Sequence, residues 1–216
     1  MNSLLRSWVP EFRPLIVVTV VLFLVTAVAY PLGTTAIGQL IFGAEANGSI
    51  TSVDGTDVGS TLIGQAFTSE HYFHGRPSAA GYNAAASSGS NLGPTSSKFL
   101  DGASDDRATD GDESFDGIAQ RVATFRELNG LAADQPVPAD AVTASASGLD
   151  PHISPATARL QVKRVAEARG VDESEVAALV EESIEDPVLG VFGEPRVNVL
   201  TLNLALDRRF PLGELD

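Results

Sequence analysis

The sequence has no cysteine, only three histidines and one tryptophan, and few basic residues. Without cysteine the chain cannot form a disulfide, a thiolate nucleophile or a cysteine metal site. Its 14 Lys and Arg against 28 Asp and Glu leave a net charge of −14. A surface this acidic repels phosphate backbones, which argues against nucleic acid as a partner. The length of 216 residues suits one globular domain with an appendage.

The charge is distributed unevenly along the chain. Residues 1–44 contain only Arg6, Glu11 and Arg13, so residues 45–216 carry the other 12 basic and 27 acidic side chains, a net of −15. Composition leaves two interpretations of this segment open, a strongly solvated domain outside the cytoplasm or an ordinary acidic soluble domain.

A long uncharged run follows the N-terminus, from Pro14 to Ala44. Because about 20 apolar residues cross the hydrocarbon core, the sequence predicts a transmembrane helix over 15–37, kinked or frayed near its outer end by Pro31 and Gly33. The alternative is a signal peptide cleaved near Ala29. The anchor is favoured because the uncharged run continues well past that point.

The positive-inside rule sets the expected orientation of this anchor. Arg6 and Arg13 should stay in the cytoplasm, which predicts a single-pass protein of the cell membrane with residues 1–14 inside and the acidic bulk outside. A tether over 38–60 would lead into a soluble domain over 61–216, which includes an acidic loop at 98–117. Asn47 begins a glycosylation sequon within the tether.

Helical periodicity and capping residues predict three helices. The first begins near Ile118 with Asp116 as its cap and stops at Gly130. The second is capped by Ser154, starts at Pro155 and ends at Gly170. A third is capped by Asp172 and carries an apolar stripe formed by Val176, Leu179, Val180 and Ile184.

Two segments have strand signals. Residues 60–67 are a plausible strand, and alternating leucines predict another over 196–206. Helices and strands in this order indicate an α+β fold, in which a mixed helix and sheet domain outside the cytoplasm follows the single transmembrane helix.

Residues 143–160 place serine, acid and histidine close together, which raises the possibility of nucleophilic hydrolysis. A membrane-anchored serine hydrolase would use Ser90 or Ser147 with His152. However, Asp150-Pro151 favours a turn, and Ser154-Pro155 starts a helix. A shaped loop that presents Ser147 to His152 for docking or loop closure is therefore the favoured interpretation.

The three histidines raise a second chemical possibility, a zinc site. His71, His74 and His152 could be joined by Asp150 or Glu70 as metal ligands. The segment around His71 has no helical periodicity, so this pair need not share a face. Polar residues that close loops are the favoured interpretation, and we expect no metal site.

Several long blocks carry a family resemblance. The N-terminal span is followed by "FHGRPSAAGYN", "SSGSNLGPTS", "VPADAVTASASGLDPHISPATARLQVKRVAEARG" and "GEPRVNVLTLNLALD". In this order they resemble the KdpC family, the C chain of the potassium-transporting ATPase complex KdpFABC. The acidic stretch at 101–116 looks like a lengthened loop between two of these blocks.

The resemblance implies a non-catalytic subunit of an ATP-driven, high-affinity potassium importer. It implies two partners, a channel-like potassium-binding subunit and a P-type ATPase subunit, and a role in assembly or in the ATP-binding affinity of the latter. No cofactor of its own is expected. ATP would be shared with the ATPase subunit, and potassium is the ion that the complex transports.

The same blocks supply the candidate site residues. One set forms a candidate loop for contact with a partner or with nucleotide: Ser88, Gly89, Ser90, Asn91, Leu92, Gly93 and Pro94. A second set is expected to dock or to support the fold: His74, Arg76, Ser147, Asp150 and His152. The alternatives to a transporter subunit are the serine hydrolase and a stand-alone ligand-binding domain.

Overall fold

The computed structural model describes residues 2–102 and 116–212. The chain divides into two units, Met1–Ile50 and Thr51–Asp216. Of the acidic loop predicted at 98–117, residues 103–115 lie outside the described residues.

Most of the first unit is one apolar helix. It consists of α1 (Asn2–Phe23), a π-helical segment (Leu24–Ala29) and α2 (Tyr30–Ile41). Residues Phe12–Ile41 form a helix long and apolar enough to cross a membrane, and none of its most apolar stretch is buried within the chain. Thirty residues at about 1.5 Å each span roughly 45 Å, more than the hydrocarbon core requires. The predicted span, 15–37, lies within this helix.

The helix continues past Pro31 and Gly33, where the sequence predicts a kink or fraying. Proline lacks the N–H that would bond the carbonyl of Ala27, and its ring crowds that carbonyl. The wider π-helical turns over Leu24–Ala29 immediately precede it, and the helix continues to Ile41. The disturbance therefore lies before the proline, as a change of helix type within a continuous helix.

Short elements follow. The segment predicted as a tether contains α3 (Gly43–Ala46), β1 (Ile50–Val53) and β2 (Thr56–Ser60), and the two strands form a two-stranded sheet. The strand predicted over 60–67 is wrong. After Ser60 the backbone N–H of Gly64 bonds the carbonyl of Leu149, a loop residue, and among the described residues no strand pairs with the segment 61–67.

Three helices of the second unit correspond to those predicted from capping signals: α5 (Ile118–Leu128), α7 (Pro155–Arg169) and α8 (Glu173–Glu182). Two short helices, α4 (Ser97–Asp101) and α6 (Ala139–Val142), were not predicted. The side chains of Ser154 and Asp172 cap α7 and α8 as predicted. Gly170 ends α7 at φ +66°, a conformation that glycine adopts without steric cost.

Two predictions at helix ends are wrong. Gly117, not Asp116, is the N-cap of α5, and its N–H donates to Oε1 of Gln120 at 2.5 Å. Ile184 does not extend the stripe of α8. That helix ends at Glu182, and Ile184 begins the strand β4 (Ile184–Glu185).

The alternating leucines form a helix instead of a strand. β5 (Arg196–Asn198) pairs with both β3 (His152–Ile153) and β4, but α9 (Val199–Arg209) starts directly after it. Asn198 caps α9 by accepting a hydrogen bond from the N–H of Thr201 at 3.2 Å. Leu202 and Leu206 are four residues apart, so they share a helix face as well as a strand face, and both are fully buried.

The core lies between the antiparallel sheet, of order β3-β5-β4, and the helices α7, α8 and α9. The central strand and the three helices each contribute a side chain with no exposed surface: Val197 on β5, Val165 on α7, Val180 on α8 and Leu202 on α9. Phe73, from the loop before the predicted contact loop, is also fully buried in this cluster. The α+β class is confirmed, with one apolar N-terminal helix before a mixed helix and sheet domain.

Candidate functional site

Two loops of the second unit run together and contain most of the candidate residues. Ser88 donates its backbone N–H to the carbonyl of Ser147 at 2.9 Å, and Ser78 Oγ donates to the carbonyl of Gly148 at 2.5 Å. Gly148 has φ +65°, and a Cβ there would lie 2.5 Å from the carbonyl oxygen of Ser88. Only glycine fits this approach, so the block around "SASGLD" is shaped to hold the loop that contains Ser88.

Asp150 lies at the centre of this junction. Its Oδ2 accepts from Arg76 Nη1 at 3.0 Å, and its Oδ1 accepts from the backbone N–H of His152 at 3.0 Å. Nδ1 of His152 lies 3.5 Å from the same Oδ1. Burial raises the pKa of the Asp150 carboxyl, but the hydrogen bonds from His152 and the charge of Arg76 outweigh burial and hold that pKa below its ordinary value.

Arg76 and Tyr82 extend the junction. Nε of Arg76 donates to the carbonyl of Thr143 at 3.3 Å, and the hydroxyl of Tyr82 donates to the carbonyl of Arg76. Burial, with a smaller effect of the Asp150 charge, raises the pKa of Tyr82 to about 12. Tyr82 therefore keeps its proton at neutral pH and acts as a donor in the junction. Three of the predicted docking residues, Arg76, Asp150 and His152, are brought together here.

The serines of this region do not form a hydrolytic triad with His152. Ser147 Oγ accepts the backbone N–H of Leu149 at 3.1 Å and lies 3.4 Å from Ser145 Oγ. Ser154 donates to Oδ1 of Asp140 at 2.9 Å and caps α7. The ring of His152 faces two carboxylates, with Nε2 3.9 Å from Oε2 of Glu185. The expected approach of Ser147 to His152 is therefore not among the described contacts.

His74 belongs to a different environment, next to the core helix α7. Its backbone N–H donates to Oε1 of Gln161 at 2.8 Å, and Nε2 of Gln161 donates to its carbonyl at 3.1 Å. Its ring nitrogen Nε2 lies 3.0 Å from the carbonyl of Ser69. Burial lowers the pKa of His74, which favours the neutral ring. Within residues 2–102 and 116–212, no group of three or more His, Asp or Glu side chains is placed to hold a metal ion.

Sequence reasoning missed a buried cluster on α7. We use the name α7 polar cluster for Gln161 and Arg164 on α7 together with Asn129. Arg164 is only 6% exposed, and its guanidinium donates to Oδ1 of Asn129, to Oε1 of Gln161 and to the carbonyls of Glu70 and Tyr72. Burial, which the charge of Glu70 only partly offsets, lowers the pKa of Arg164 to about 10, so the group stays charged at neutral pH.

A signal for this cluster was present in the sequence. Gln161 and Arg164 lie at helical spacing with Thr157, Ala158 and Val165, so two long polar side chains fall on the apolar face of α7. The other half of the cluster is made of backbone carbonyls from the loop at 70–72 and of a side chain beyond the end of α5. No local pattern connects those segments to α7.

Two recesses border the junction. One, of about 290 Å³, lies between α5 and the segment 66–78 and is lined by Phe67, His74, Arg121, Phe125 and Gln161 among others. The second, of about 530 Å³, is more polar and is bordered by Arg76, Asp140, Asp150, His152 and Arg196 among others. Asp140 bonds Ser154, and Asp150 bonds Arg76, so both carboxylates already have partners within the chain.

The predicted contact loop, 88–94, is irregular and partly exposed. Ser88 is bound to Ser147, and a Cβ at Gly89 would lie 2.8 Å from the carbonyl oxygen of Ala146. Asn91 has φ +53°, and no atom lies within 4 Å of the position that a Cβ would take at Gly93. The first half of this loop is therefore packed against the junction, and the part around Gly93 is open to solvent.

Comparison with known proteins gives one consistent result. The family model described as "K+-transporting ATPase, c chain", KdpC, matches residues 12–208. The chain is 48% identical over 205 residues to the potassium-transporting ATPase KdpC subunit of Mycobacterium tuberculosis, a match that covers 94% of this chain and 98% of that protein. It is 50% identical over 202 residues to the protein of the same name in Rhodospirillum rubrum, with 93% and 96% covered.

A third relative with this name, from Caulobacter vibrioides, is 48% identical over 204 residues, which cover 93% of this chain and 94% of that protein. These matches include both the apolar helix and the second unit.

Proposed function

The chain belongs to the KdpC family, and we propose that it serves as a non-catalytic subunit that supports assembly of an ATP-driven, high-affinity potassium importer. The observation that carries this proposal is the family match over residues 12–208, which begins with the apolar helix Phe12–Ile41 and ends within α9. The same stretch therefore contains an element that can pack within a membrane and a soluble unit that can dock on its partners.

The contacts at the loop junction support a structural role for the candidate residues. Asp150, which a hydrolase would use to orient a histidine, contacts His152 but also binds Arg76 at 3.0 Å, so its charge is already paired with a cation of the junction. Ser147, one of the two proposed nucleophiles of the alternative function, accepts from Leu149 instead of facing His152. For the other, Ser90, no hydrogen bond to His152 is present among the described residues. A nucleophile needs a base within hydrogen-bond reach. The geometry therefore favours a subunit over a serine hydrolase.

The proposed partners are a channel-like subunit that binds potassium and a P-type ATPase subunit that hydrolyses ATP. The soluble unit of this chain would dock on them and hold the complex together. The accessory role has two forms, support of assembly and support of ATP affinity in the ATPase subunit. ATP and potassium would both be handled mainly by the partners.

A purified complex can separate these two forms. We expect potassium-dependent ATP hydrolysis to be lost when the chain is omitted and to return when it is added back. A complex that assembles without the chain but has a raised KM for ATP supports the second form. If the other subunits assemble and hydrolyse ATP normally without it, the proposed function is wrong.

A substitution at His152 tests the alternative function, a serine hydrolase. The substitution His152→Ala removes the ring that lies next to Asp150 and Glu185. We expect a weaker fold or weaker assembly from this variant. A hydrolytic activity in the purified wild-type chain that disappears in the variant would instead support the hydrolase.

For location, we propose that the apolar helix is a single-pass anchor in the cell membrane, with the N-terminus in the cytoplasm and the soluble unit outside. The support is the position of Arg6 and Arg13 before the uncharged run from Pro14 to Ala44, together with the net charge of −15 after it. Because the chain has no cysteine, one introduced thiol can be labelled selectively.

Gly93→Cys is the preferred position because it is exposed and has open space around its Cβ site. A membrane-impermeant thiol reagent should label it in intact cells, whereas Ser3→Cys should react only after lysis. The reverse pattern would place the soluble unit in the cytoplasm and overturn the proposed topology.

A further inference from the structure

The hairpin between β4 and β5 exposes a group of apolar side chains. The exposed fractions are 57% for Val188, 85% for Leu189, 77% for Val191 and 67% for Phe192. We use the name hairpin tip for residues 188–192. Elsewhere in the described part of the second unit, large apolar residues that are exposed occur singly, such as Leu62, Leu100, Leu128 and Leu212. Single exposed apolar residues are normal on a protein surface, but a group of them marks an interaction site.

The hairpin tip has a defined backbone. The N–H of Val188 donates to the carbonyl of Phe192 at 2.9 Å, and the N–H of Phe192 donates back at 3.0 Å. Leu189 and Gly190 form the turn at φ +56° and φ +72°. A leucine is disfavoured in this left-handed conformation. Neither the conformation nor the exposure of Leu189 stabilises the fold, which points to a contact outside the chain.

The base of the hairpin is held firmly. Val197 on β5 is fully buried, and it pairs with Ile153 on one side and with Ile184 on the other. Arg196 Nε bonds Oε2 of Glu185 at 2.9 Å across the two arms. The tip therefore projects from a sheet whose central strand is part of the core. A preformed projection loses little conformational entropy when it binds.

Charge decides which kind of partner fits. Asp186 and Glu194 flank the tip on its two arms, and neither has an ion-pair partner among the described residues. Residues 45–216 carry a net charge of −15, so a second copy of this chain and an anionic lipid surface would both be repelled. A protein recess with an apolar floor and Lys or Arg at its rim is complementary to both features.

We propose that the hairpin tip docks into an apolar, basic-rimmed recess on another subunit of the same potassium-transporting complex. This inference rests on the proposed function, because it takes the partner from that complex. Leu189 and Phe192 fill the recess, and Asp186 and Glu194 pair with the basic side chains of its rim.

The first test compares matched serine substitutions in the full chain, purified from membranes with the other subunits. Leu189→Ser with Phe192→Ser removes the apolar contact, and Leu62→Ser is the control because Leu62 is 59% exposed but lies outside the tip. We expect the hairpin variant to lose about tenfold or more in subunit association, as is typical when central apolar contacts are removed. The control should associate like the wild type.

The outcomes are separable. Equal association of the wild type and the hairpin variant would overturn docking by the tip while leaving the proposed function intact. A wild-type chain that fails to associate with any subunit of a potassium-transporting ATPase would overturn the proposed function, and this inference with it. Circular dichroism of each variant in detergent checks the fold, and an unfolded serine variant is replaced by Leu189→Asn with Phe192→Asn.

The second test identifies the partner directly. A photoreactive benzoylphenylalanine at position 189 of the full chain should form an adduct with another subunit in native membranes, whereas the same probe at position 62 should not. An adduct with lipid or with a second copy of the chain would overturn the proposal.

Asp186→Lys with Glu194→Lys should weaken association a few-fold and reduce its sensitivity to salt, because rim charges act mainly through long-range attraction. Unchanged association and salt dependence would exclude a basic rim.

Discussion

The α7 polar cluster buries a charged side chain and the hairpin tip exposes apolar ones, the opposite of the usual arrangement. Only the α7 polar cluster has its interaction partners within the chain. Arg164 is charged and 6% exposed, whereas Leu189 is apolar and 85% exposed. The hydrogen-bond acceptors of Arg164 all lie within the second unit. Among the described residues, no buried side-chain nitrogen or oxygen lacks a hydrogen bond. The apolar side chains of the hairpin tip, in contrast, are not covered by any described part of the chain.

This difference separates residues that serve the fold from residues that serve an assembly. A buried charge is tolerated only when its donors are satisfied, so the partners of Arg164 are part of the folded structure. An exposed apolar group costs the fold little, but it gains nothing until another surface covers it. The contrast can be tested by substitutions in each region.

The largest effect is expected at the α7 polar cluster. Arg164→Met leaves the carbonyls of Glu70 and Tyr72 and Oδ1 of Asn129 without their donor, which should lower the free energy of unfolding by about 3 kcal/mol. Arg159→Met on the same helix is the matched control. Arg159 is half exposed and pairs with Glu181, so its loss should cost about 0.5 kcal/mol or less. Denaturant unfolding of the full chain in detergent measures both, and equal losses would contradict this assignment.

An effect of similar size is expected on α9. Leu202 is fully buried, whereas Leu204 is only half-buried. Leu202→Ala should therefore lower the free energy of unfolding by about 3 kcal/mol, and Leu204→Ala by about 1 kcal/mol. In a strand both leucines would point to one face and be equivalent. Equal losses in the two variants would support the strand that the sequence suggested.

A moderate, pH-dependent effect is expected at the loop junction. Asp150→Asn removes the ion pair with Arg76, whose side chain is 23% exposed against 28% for Asp150. Solvent screening limits the loss to about 1 kcal/mol. Because the folded pKa of Asp150 is below the ordinary value of 3.8, the ion pair stabilises the fold above that value and is lost as the pH falls below it.

Thermal unfolding of the wild type and the Asp150→Asn variant at several pH values measures this effect. The difference between the two proteins should be constant at neutral pH and should vanish in strong acid. A difference that grows as the pH falls would contradict the direction of the pKa shift.

The smallest effect on stability is expected at the hairpin tip, and it has the opposite sign. Leu189→Asn replaces a leucine at φ +56° by a residue that tolerates this conformation, which should stabilise the fold by about 0.5 kcal/mol. The same variant should associate less well with the partner subunits. A substitution that stabilises the chain but weakens the complex would show that the tip serves the assembly. A clear loss of stability would show that the tip supports the fold instead.

Features that depend only on neighbouring residues could be predicted from the sequence. The apolar helix follows from an uncharged run, and the ends of α7 follow from Ser154, Pro155 and Gly170, because capping and left-handed turns are local interactions. The family also followed from the order of long sequence blocks. Arg76, Asp150 and His152 were chosen from those blocks, and the structure places them in one junction.

Features that depend on distant segments could not be predicted in this way, because they are set when those segments pack together. Leu202 and Leu206 fit a strand or a helix equally well, but β5 pairs with β3 only as far as Asn198. One further bond joins the N–H of Val199 to the carbonyl of Pro151 at 2.9 Å, and the chain then continues as α9. Arg164 is tolerated on an apolar helix face because carbonyls from residues 70 and 72 reach it. The exposure of the hairpin tip likewise depends on which surfaces the rest of the chain leaves uncovered. Non-local packing sets all three, and no short window of sequence contains it.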